Sequence, residues 1–396
     1  MDSKKDARDS LVRELKARRD DHRKMSEKIA RFREKLMKRS RKLLALESEI
    51  AKLERRVFPA TTARRKRIPA RGKSLRTAVL IYNPESGGNA SHVHRLKTIV
   101  QRLAAHGIRA KVGEETSGRA ARALARAAAK NEQDLVIVAG GDGTIEAVAS
   151  QLVGSKTALG IIPAGTANNL ARSLGIPLEL DDACALLGAG STRKIDVGHV
   201  LGEKKPETKY FLETAGLGLT AIVIPAGQAV RKGRLFKLPQ ALRKLFDYKP
   251  GAVEIEFDDG RCISANSQLI TVSNAPLMGR NFLLAPSAKM DDGLLDIAVF
   301  DGMGKTELLS HFVAIGDGKR ADDARIEFYQ SRSVKIRSST AEPVGEDQDA
   351  LKDEKMVEIE ILPQALSVVV GMGSGLQFPI EAVQSVPPLS GPKRSR

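Results

Sequence analysis

Apolar residues near the start of the chain recur every three or four positions. Met25, Ile29, Phe32, Leu36, Leu43, Leu46, Ile50, Leu53 and Val57 occupy the a and d positions of one heptad register, and Arg39 interrupts a d position. No Gly or Pro occurs before Phe58. The pattern predicts one long helix over residues 1–58, with a coiled coil over its second half. A solvated charged helix without a partner is the competing reading. Pro59 ends the helix, and residues 59–76 read as a basic, disordered linker.

From Thr77 the pattern changes to short apolar runs separated by helical periodicity. TAVLIYNP reads as a strand stopped by Asn-Pro, HRLKTIVQRLAAHG as an amphipathic helix closed by Gly107, and IRAKVGEET as a second strand. GRAARALARAAAKNEQ reads as a helix, DLVIVAG as a fully apolar strand, and ALGIIPAG as another strand running into glycine. Alternating strands and helices predict a parallel sheet covered on both faces, over residues 77–195. From Asp196 to residue 371 the texture is mostly strands: KYFLETAGLG, AVEIEF, CISANSQLITVSNA, LLDIAVF, SVKIRSS, MVEIEILP and LSVVVG. This predicts a mostly antiparallel β domain with a helical insert at residues 239–246. Residues 372–396 read as a flexible C-terminal segment.

Charge sharpens the division. Residues 1–76 hold 27 Lys and Arg against 11 Asp and Glu, a net +16 of the chain's +17. The rest is a near-neutral globular body. No apolar run approaches 18 residues, so no transmembrane helix is expected. The charged start has no apolar core of a secretory signal. Cys184 and Cys262 have no metal-ligand spacing and fit a reducing compartment.

Three loops follow apolar strands and open helices: Asn83-Pro84-Glu85-Ser86-Gly87-Gly88, Gly140-Gly141-Asp142-Gly143-Thr144, and Pro163-Ala164-Gly165-Thr166-Ala167-Asn168-Asn169. In an open parallel sheet, ligands bind at these strand ends. Glycines let backbone N–H groups approach an anion, and Ser86, Thr144 and Thr166 add hydroxyls. One such loop is ordinary turn chemistry; three on neighbouring strand ends predict a polyphosphate cradle. Neither G-x-G-x-x-G nor a complete P-loop is present. Gly304-Lys305-Thr306 mimics the end of a P-loop and reads as a turn after a strand.

These loops, with Asp291-Asp292-Gly293-Leu294-Leu295-Asp296 after them, resemble the diacylglycerol kinase catalytic family, and most of all the bacterial soluble lipid kinases. The likeness runs from about Arg76 to Gly371. The Gly-Gly-Asp-Gly-Thr loop alone is shared with the related NAD kinases; sphingosine kinases are also relatives. The resemblance implies an α/β nucleotide-binding domain plus a β-sandwich lipid-substrate domain, with ATP between them. It implies ATP contacts from Asn83, Pro84, Glu85, Ser86, Gly87, Thr116, Gly140, Gly141, Asp142, Gly143, Thr144, Gly165, Thr166 and Asn168. It implies catalytic roles for Asp142 and Asp196, and for Glu346 as the base that accepts the lipid hydroxyl proton. It further implies Mg²⁺ held by the Asp292 carboxylate and the carbonyls of Lys289 and Leu294, an all-oxygen set suited to a hard cation.

Two departures from the family pattern stand out. Asn169 replaces an aspartate of the carboxylate network, and Val344-Gly345-Glu346-Asp347-Gln348-Asp349 carries extra acids that rival Glu346 as base. The expected activity is transfer of the ATP γ-phosphate to a lipid hydroxyl, with diacylglycerol as the leading acceptor. A kinase for another lipid alcohol or sphingoid base, an NAD-kinase-type enzyme with a soluble substrate, and a non-catalytic relative acting through its basic helix are the alternatives. The expected location is cytoplasmic, with the basic N-terminus drawn to anionic membrane and the heptads able to pair two chains. Nucleic acid is a poor partner, because Phe32 and Phe58 are the only aromatics in the basic segment.

Overall fold

The computed structural model describes residues 76–84, 86, 92–114, 117–202, 209–219, 248–249, 251–278, 282–316, 325–342, 344–346, 349–350 and 354–371. The predicted N-terminal helix and linker, the helical insert at 239–246 and the C-terminal segment lie outside them, as do Glu85, Gly87, Thr116 and Asp347.

The central strands of the first lobe are apolar enough to be buried on both faces, while the edge strand β2 is largely exposed. β1 (Arg76–Tyr82) pairs in parallel with β2 (Ile108–Glu114) and with β3 (Leu135–Gly140), and β3 pairs in parallel with β4 (Ala158–Pro163). Every residue of β3 is buried. Alternate side chains explain why. Val136 and Val138 pack with Ala121 and Ala125 of α2 (Gly118–Lys130), and with Ile145 and Val148 of α3 (Asp142–Ala149). Leu135 and Ile137 pack on the other face, with Ile99 and Leu103 of α1 (His92–Ala105). α4 (Asn169–Ser173) lies on the α2 face, and α5 (Leu180–Ala189) lies with α1. Each such Val, Leu or Ile contributes about 1.5–3 kcal/mol by leaving water.

The second lobe is a sandwich. β5 (Ser191–Gly202) leads to β6 (Lys209–Phe211) and β7 (Thr214–Gly218), followed by β8 (Val253–Phe257), β9 (Cys262–Ala265) and β10 (Ser267–Ser273). The short pair β11 (Leu277–Met278) and β12 (Phe282–Leu283) precedes β13 (Leu295–Asp301), α6 (Lys305–Gly316) and β14 (Ile326–Ser331). The chain closes with β15 (Ser333–Glu342), β16 (Val344–Glu346), β17 (Asp349–Ala350) and β18 (Glu354–Val370). One sheet has the order β14-β13-β10-β7-β16-β17, and its strand neighbours are antiparallel. It packs on β8, β15 and the first half of β18 through Ala215, Leu217, Ile270, Val272, Ile255, Ile336 and Ile359. β8 shows the alternation such a half-buried strand requires: Val253, Ile255 and Phe257 are buried, and Glu254 is exposed.

The lobes share a sheet. β18 runs antiparallel to β5 along nearly its whole length, and Val368 pairs in parallel with Leu159 of β4. The first sheet therefore continues as β2-β1-β3-β4-β18-β15-β8-β9. Pro363 and Gln364 look like a break between two strands in sequence. A register shift between Leu362 and Leu366 absorbs the break instead, with Gln364 at φ 52°.

The structure differs from the sequence reading at residues 304–306. The turn after β13 is brief, and a helix starts at Lys305. The Glu307 carboxylate accepts the Gly304 N–H at 2.7 Å, satisfying a donor at the helix start. Met303 and Leu308 then cover the outer face of β13 and β10 at Phe300 and Leu269. Among the described residues, no helix is long and apolar enough to cross a membrane.

Candidate active site

The three glycine loops meet at the C-terminal ends of β1, β3 and β4. The Asn83 N–H donates to the Ala139 carbonyl at 3.0 Å, extending the β1–β3 ladder one residue into the loop. Asn83 Nδ2 donates to Thr144 Oγ1 at 2.8 Å. Ser86 Oγ accepts the Gly141 N–H at 3.2 Å, and Arg95 of α1 donates to the Ser86 carbonyl at 2.9 Å. The third loop is clasped by Asn168. Its Oδ1 accepts the Gly165 N–H at 2.9 Å, and its Nδ2 donates to the Gly165 carbonyl at 3.1 Å. Asn168 adopts φ 52°, a left-handed conformation that Asn tolerates better than most residues.

Glycine is needed where the second and third loops touch. A Cβ on Gly165 would stand 2.5 Å from Gly141 Cα, backbone against backbone with nothing able to give way. The Ala164 N–H donates to the Gly140 carbonyl at 2.9 Å across the same contact. Pro84 is buried in the first loop, Gly143 lies in the first turn of α3, and Thr166 is exposed at the rim. Ser86 and Thr144 accept in these bonds, so each hydroxyl keeps its own proton to donate.

Asp142 opens α3 and sits against the start of α4, where its Oδ1 accepts the Leu170 N–H at 3.4 Å. Burial raises its carboxyl above the ordinary range, against the pull of backbone N–H groups at residues 168–170. Asn169 is only 4% exposed, and its Nδ2 donates to Glu213 Oε2 at 3.1 Å.

Asp196 is placed differently. It is 1% exposed, and backbone N–H groups engage both carboxylate oxygens: Gly293 to Oδ2 and Gln364 to Oδ1, each at 2.7 Å. Its own N–H donates to the Met290 carbonyl at 2.7 Å, and Asn274 Nδ2 donates to its carbonyl at 3.1 Å. One side chain thus ties β5, the 290–293 turn and the β18 irregularity together.

The turn so held contains Asp292. Its Oδ1 accepts the Leu294 N–H at 3.1 Å. Partial burial raises its carboxyl, and the charges of Asp196 and Asp291 add to the lift. The expected set of Asp292, Lys289 and Leu294 offers oxygen ligands, the chemistry that a hard cation takes. Among the described residues no cluster of three His, Cys, Asp or Glu side chains gathers around one point; this set asks for a single carboxylate.

Asp296, at the end of the same motif, is 4% exposed. Its Oδ1 accepts from Ser287 Oγ at 2.7 Å and Gln330 Nε2 at 3.3 Å, while Oδ2 has no partner among the described residues. Burial pushes this carboxyl up to about 6. An unfolded aspartate titrates near ~3.9, so the folded chain holds the proton more tightly. The resulting stabilisation is complete below about pH 4 and is lost as pH rises through about 6. Asp296→Asn should therefore gain stability relative to wild type between pH 4 and pH 7.5, by no more than about 3 kcal/mol. Urea unfolding in EDTA at the two pH values checks this; a pH-independent difference would refute it.

Glu346 lies on β16 opposite Ala215 of β7, next to Asp349 of β17. β16 thus pairs with β7, the strand that follows Glu213, whose side chain accepts from Asn169.

The catalytic-domain model described as "Diacylglycerol kinase catalytic domain" matches residues 77–200. The model described as "YegS C-terminal NAD kinase beta sandwich-like domain" matches residues 216–370. A diacylglycerol kinase of Bacillus subtilis is 31% identical over 271 residues, covering 67% of this chain and 87% of the relative. The chain belongs to the diacylglycerol kinase catalytic-domain family. A second member, the diacylglycerol kinase of Mycobacterium tuberculosis, is 30% identical over 292 residues, 72% of this chain and 93% of its own. A diacylglycerol kinase crystal structure from Bacillus anthracis str. Sterne aligns with TM-score 0.59 at 25% identity, over 76% of this chain and 98% of that one. Family membership accounts for the α/β lobe, the sandwich and the order of the motifs.

Proposed function

We propose that the protein is an ATP-dependent lipid kinase that transfers the γ-phosphate to a lipid hydroxyl, with diacylglycerol as the acceptor. The observation that carries this reading is the contact of Gly141 with Gly165, which brings two N–H-rich loops together beside the Asn83–Ser86 loop. Phosphoryl transfer asks the protein mainly for positioning and charge neutralisation. The N–H groups of the loops, with the Ser86, Thr144 and Thr166 hydroxyls, orient the phosphates. Glu85, Gly87 and Thr116 belong to the same expected contact set. Asp142 faces the phosphates from the start of α3. Glu346 takes the proton from the lipid hydroxyl as the oxygen attacks phosphorus.

Mg²⁺, when bound, offsets negative charge on the phosphate oxygens. Asp292 and the Lys289 and Leu294 carbonyls hold a structural Mg²⁺ in this reading. Asp196 positions that turn from behind. The basic N-terminal region draws the protein to anionic membrane, where each engaged Lys or Arg is worth about 1 kcal/mol. Pairing of two chains through the heptads would strengthen the attachment by avidity.

The test is transfer of ³²P from γ-labelled ATP to diacylglycerol, a sphingoid base and ceramide, each presented in neutral and in anionic vesicles. Labelled phosphatidic acid, formed fastest on anionic vesicles, is the expected product. No labelled lipid from any acceptor overturns the reading. In the same assay Glu346→Gln should lower kcat by about 10²-fold or more at unchanged ATP KM, the scale of general-base catalysis. Unchanged turnover in this variant would move the base to Asp347 or Asp349, which the matching Asn variants would reveal.

A further inference from the structure

Helix α4 carries three buried polar atoms with no hydrogen-bond partner among the described residues: Asn169 Oδ1, Arg172 Nε and Ser173 Oγ. They belong to positions i, i+3 and i+4, so they share one face of the helix. The opposite face is apolar, and Leu170, Ala171 and Leu174 enter the core of the α/β lobe. Buried polar groups are nearly always paired, so three unpaired atoms on one short helix face call for a ligand. Asn169 and Ser173 are 4% and 2% exposed, and Arg172 is half-buried.

This polar face is turned toward the sandwich lobe. Asn169 Nδ2 donates to Glu213 Oε2 at 3.1 Å, and α4 lies against β11. Asn168, just before α4, clasps the Gly165 loop. The face therefore starts where the third glycine loop ends, on the side of the second lobe. Arg172 is its charged member. Arg102, Arg261 and Arg337 pair with carboxylates at the surface. The Arg172 guanidinium makes no hydrogen bond or ion pair with the described residues, although its Nε is buried. A guanidinium is always charged and only donates, so what completes it is an anion.

We propose that this face is the phosphomonoester subsite for the lipid product, with Arg172 and the Ser173 hydroxyl receiving the phosphate oxygens after transfer. This rests on the kinase reading above. The lipid acceptor is neutral, whereas its phosphorylated product carries about two negative charges near pH 7. An arginine already matched by a carboxylate would add little to such a ligand; Arg172 has its whole charge to offer. A phosphate oxygen that keeps a proton donates to Asn169 Oδ1, the acceptor on the same face.

The test is isothermal titration calorimetry of the full chain, as wild type, Arg172→Gln and Arg172→Lys. The probes are dihexanoyl phosphatidate, sn-glycerol 3-phosphate, inorganic phosphate, and AMP-PNP with Mg²⁺. Arg172→Gln should weaken phosphatidate binding about 10- to 100-fold, the scale of hydrogen bonds to a charged group. Glycerol 3-phosphate should weaken in the same proportion, because the headgroup is what the face reads. AMP-PNP affinity and the melting temperature of the free protein should stay at wild-type values. Arg172→Lys keeps the charge without the planar fork and should recover part of the loss, which a merely structural arginine does not predict. Unchanged phosphatidate affinity in Arg172→Gln overturns the proposal, as does a lysine variant no better than the glutamine one. An equal loss of AMP-PNP binding assigns Arg172 to the nucleotide and also overturns it. An effect on inorganic phosphate with none on phosphatidate makes the face a free-phosphate site and overturns the product assignment. A wild-type protein that binds phosphatidate through Arg172 yet labels no lipid sinks the kinase reading and leaves the subsite standing. Labelled lipid from a wild type whose Arg172→Gln variant binds phosphatidate as tightly sinks the subsite alone.

Discussion

Asp142→Ala is expected to lower phosphoryl transfer by on the order of 10³-fold or more, the scale on which groups that organise charge around a transferring phosphoryl act. The same change should leave the fold intact. Asp142 contributes no apolar packing, and the bond that its Oδ1 accepts from the Leu170 N–H is long at 3.4 Å. Burial raises its carboxyl, so at neutral pH the site works against the ionised form. Removing the charge should leave the melting temperature of the nucleotide-free protein equal or higher. Activity and stability then move in opposite directions, as expected of a residue kept for its chemistry. Asp142→Asn separates charge from shape and should resemble the alanine variant in turnover. Wild-type turnover in either variant would remove Asp142 from the mechanism.

Asp196→Ala is expected to behave in the reverse manner, with stability falling first. The carboxylate is nearly inaccessible and accepts two backbone N–H groups at 2.7 Å. Truncation strands both donors where water does not reach them, at a cost of roughly 3–5 kcal/mol. For a body of this size that corresponds to a fall of about 10 °C in melting temperature. Asp196→Asn keeps one good acceptor and turns an amide toward the other donor, so it should lose less. Thermal and urea unfolding measure both variants. A loss below about 1 kcal/mol for the alanine variant would mean that the three segments hold together without it.

These two aspartates show where sequence reading stops. Both sit in short glycine-containing motifs, Gly-Gly-Asp-Gly-Thr and Lys-Ile-Asp-Val-Gly, and the family resemblance implies similar parts for them. Their surroundings separate them. Asp142 lies at the mouth of three loops, whereas Asp196 faces backbone from segments almost 100 and 170 positions away. No local pattern encodes partners so distant.

The fold was more legible, because its signals are local. Leu135 to Gly140 is continuously apolar and is buried throughout. The period-two pattern of Val253, Ile255 and Phe257 matches a half-covered strand. Two features escaped. Leu308 to Ile315 is as apolar as a strand, and only Glu307, placed to accept the Gly304 N–H, marks a helix start. KYFLETAGLG reads as one strand, yet Glu213 interrupts it and the two halves enter different sheets. A charged residue within an apolar run was the available signal for that corner and for its reach toward Asn169.

The central claim is that the ends of β1, β3 and β4 form one phosphate-binding surface. Hydrogen–deuterium exchange of the full chain, with and without AMP-PNP and Mg²⁺, addresses it most directly. The account predicts slowed exchange in all three loops together, at residues 83–88, 140–144 and 163–169, with β14 and α6 unchanged. Protection confined to one loop, or centred instead on residues 304–306 at the start of α6, would contradict it.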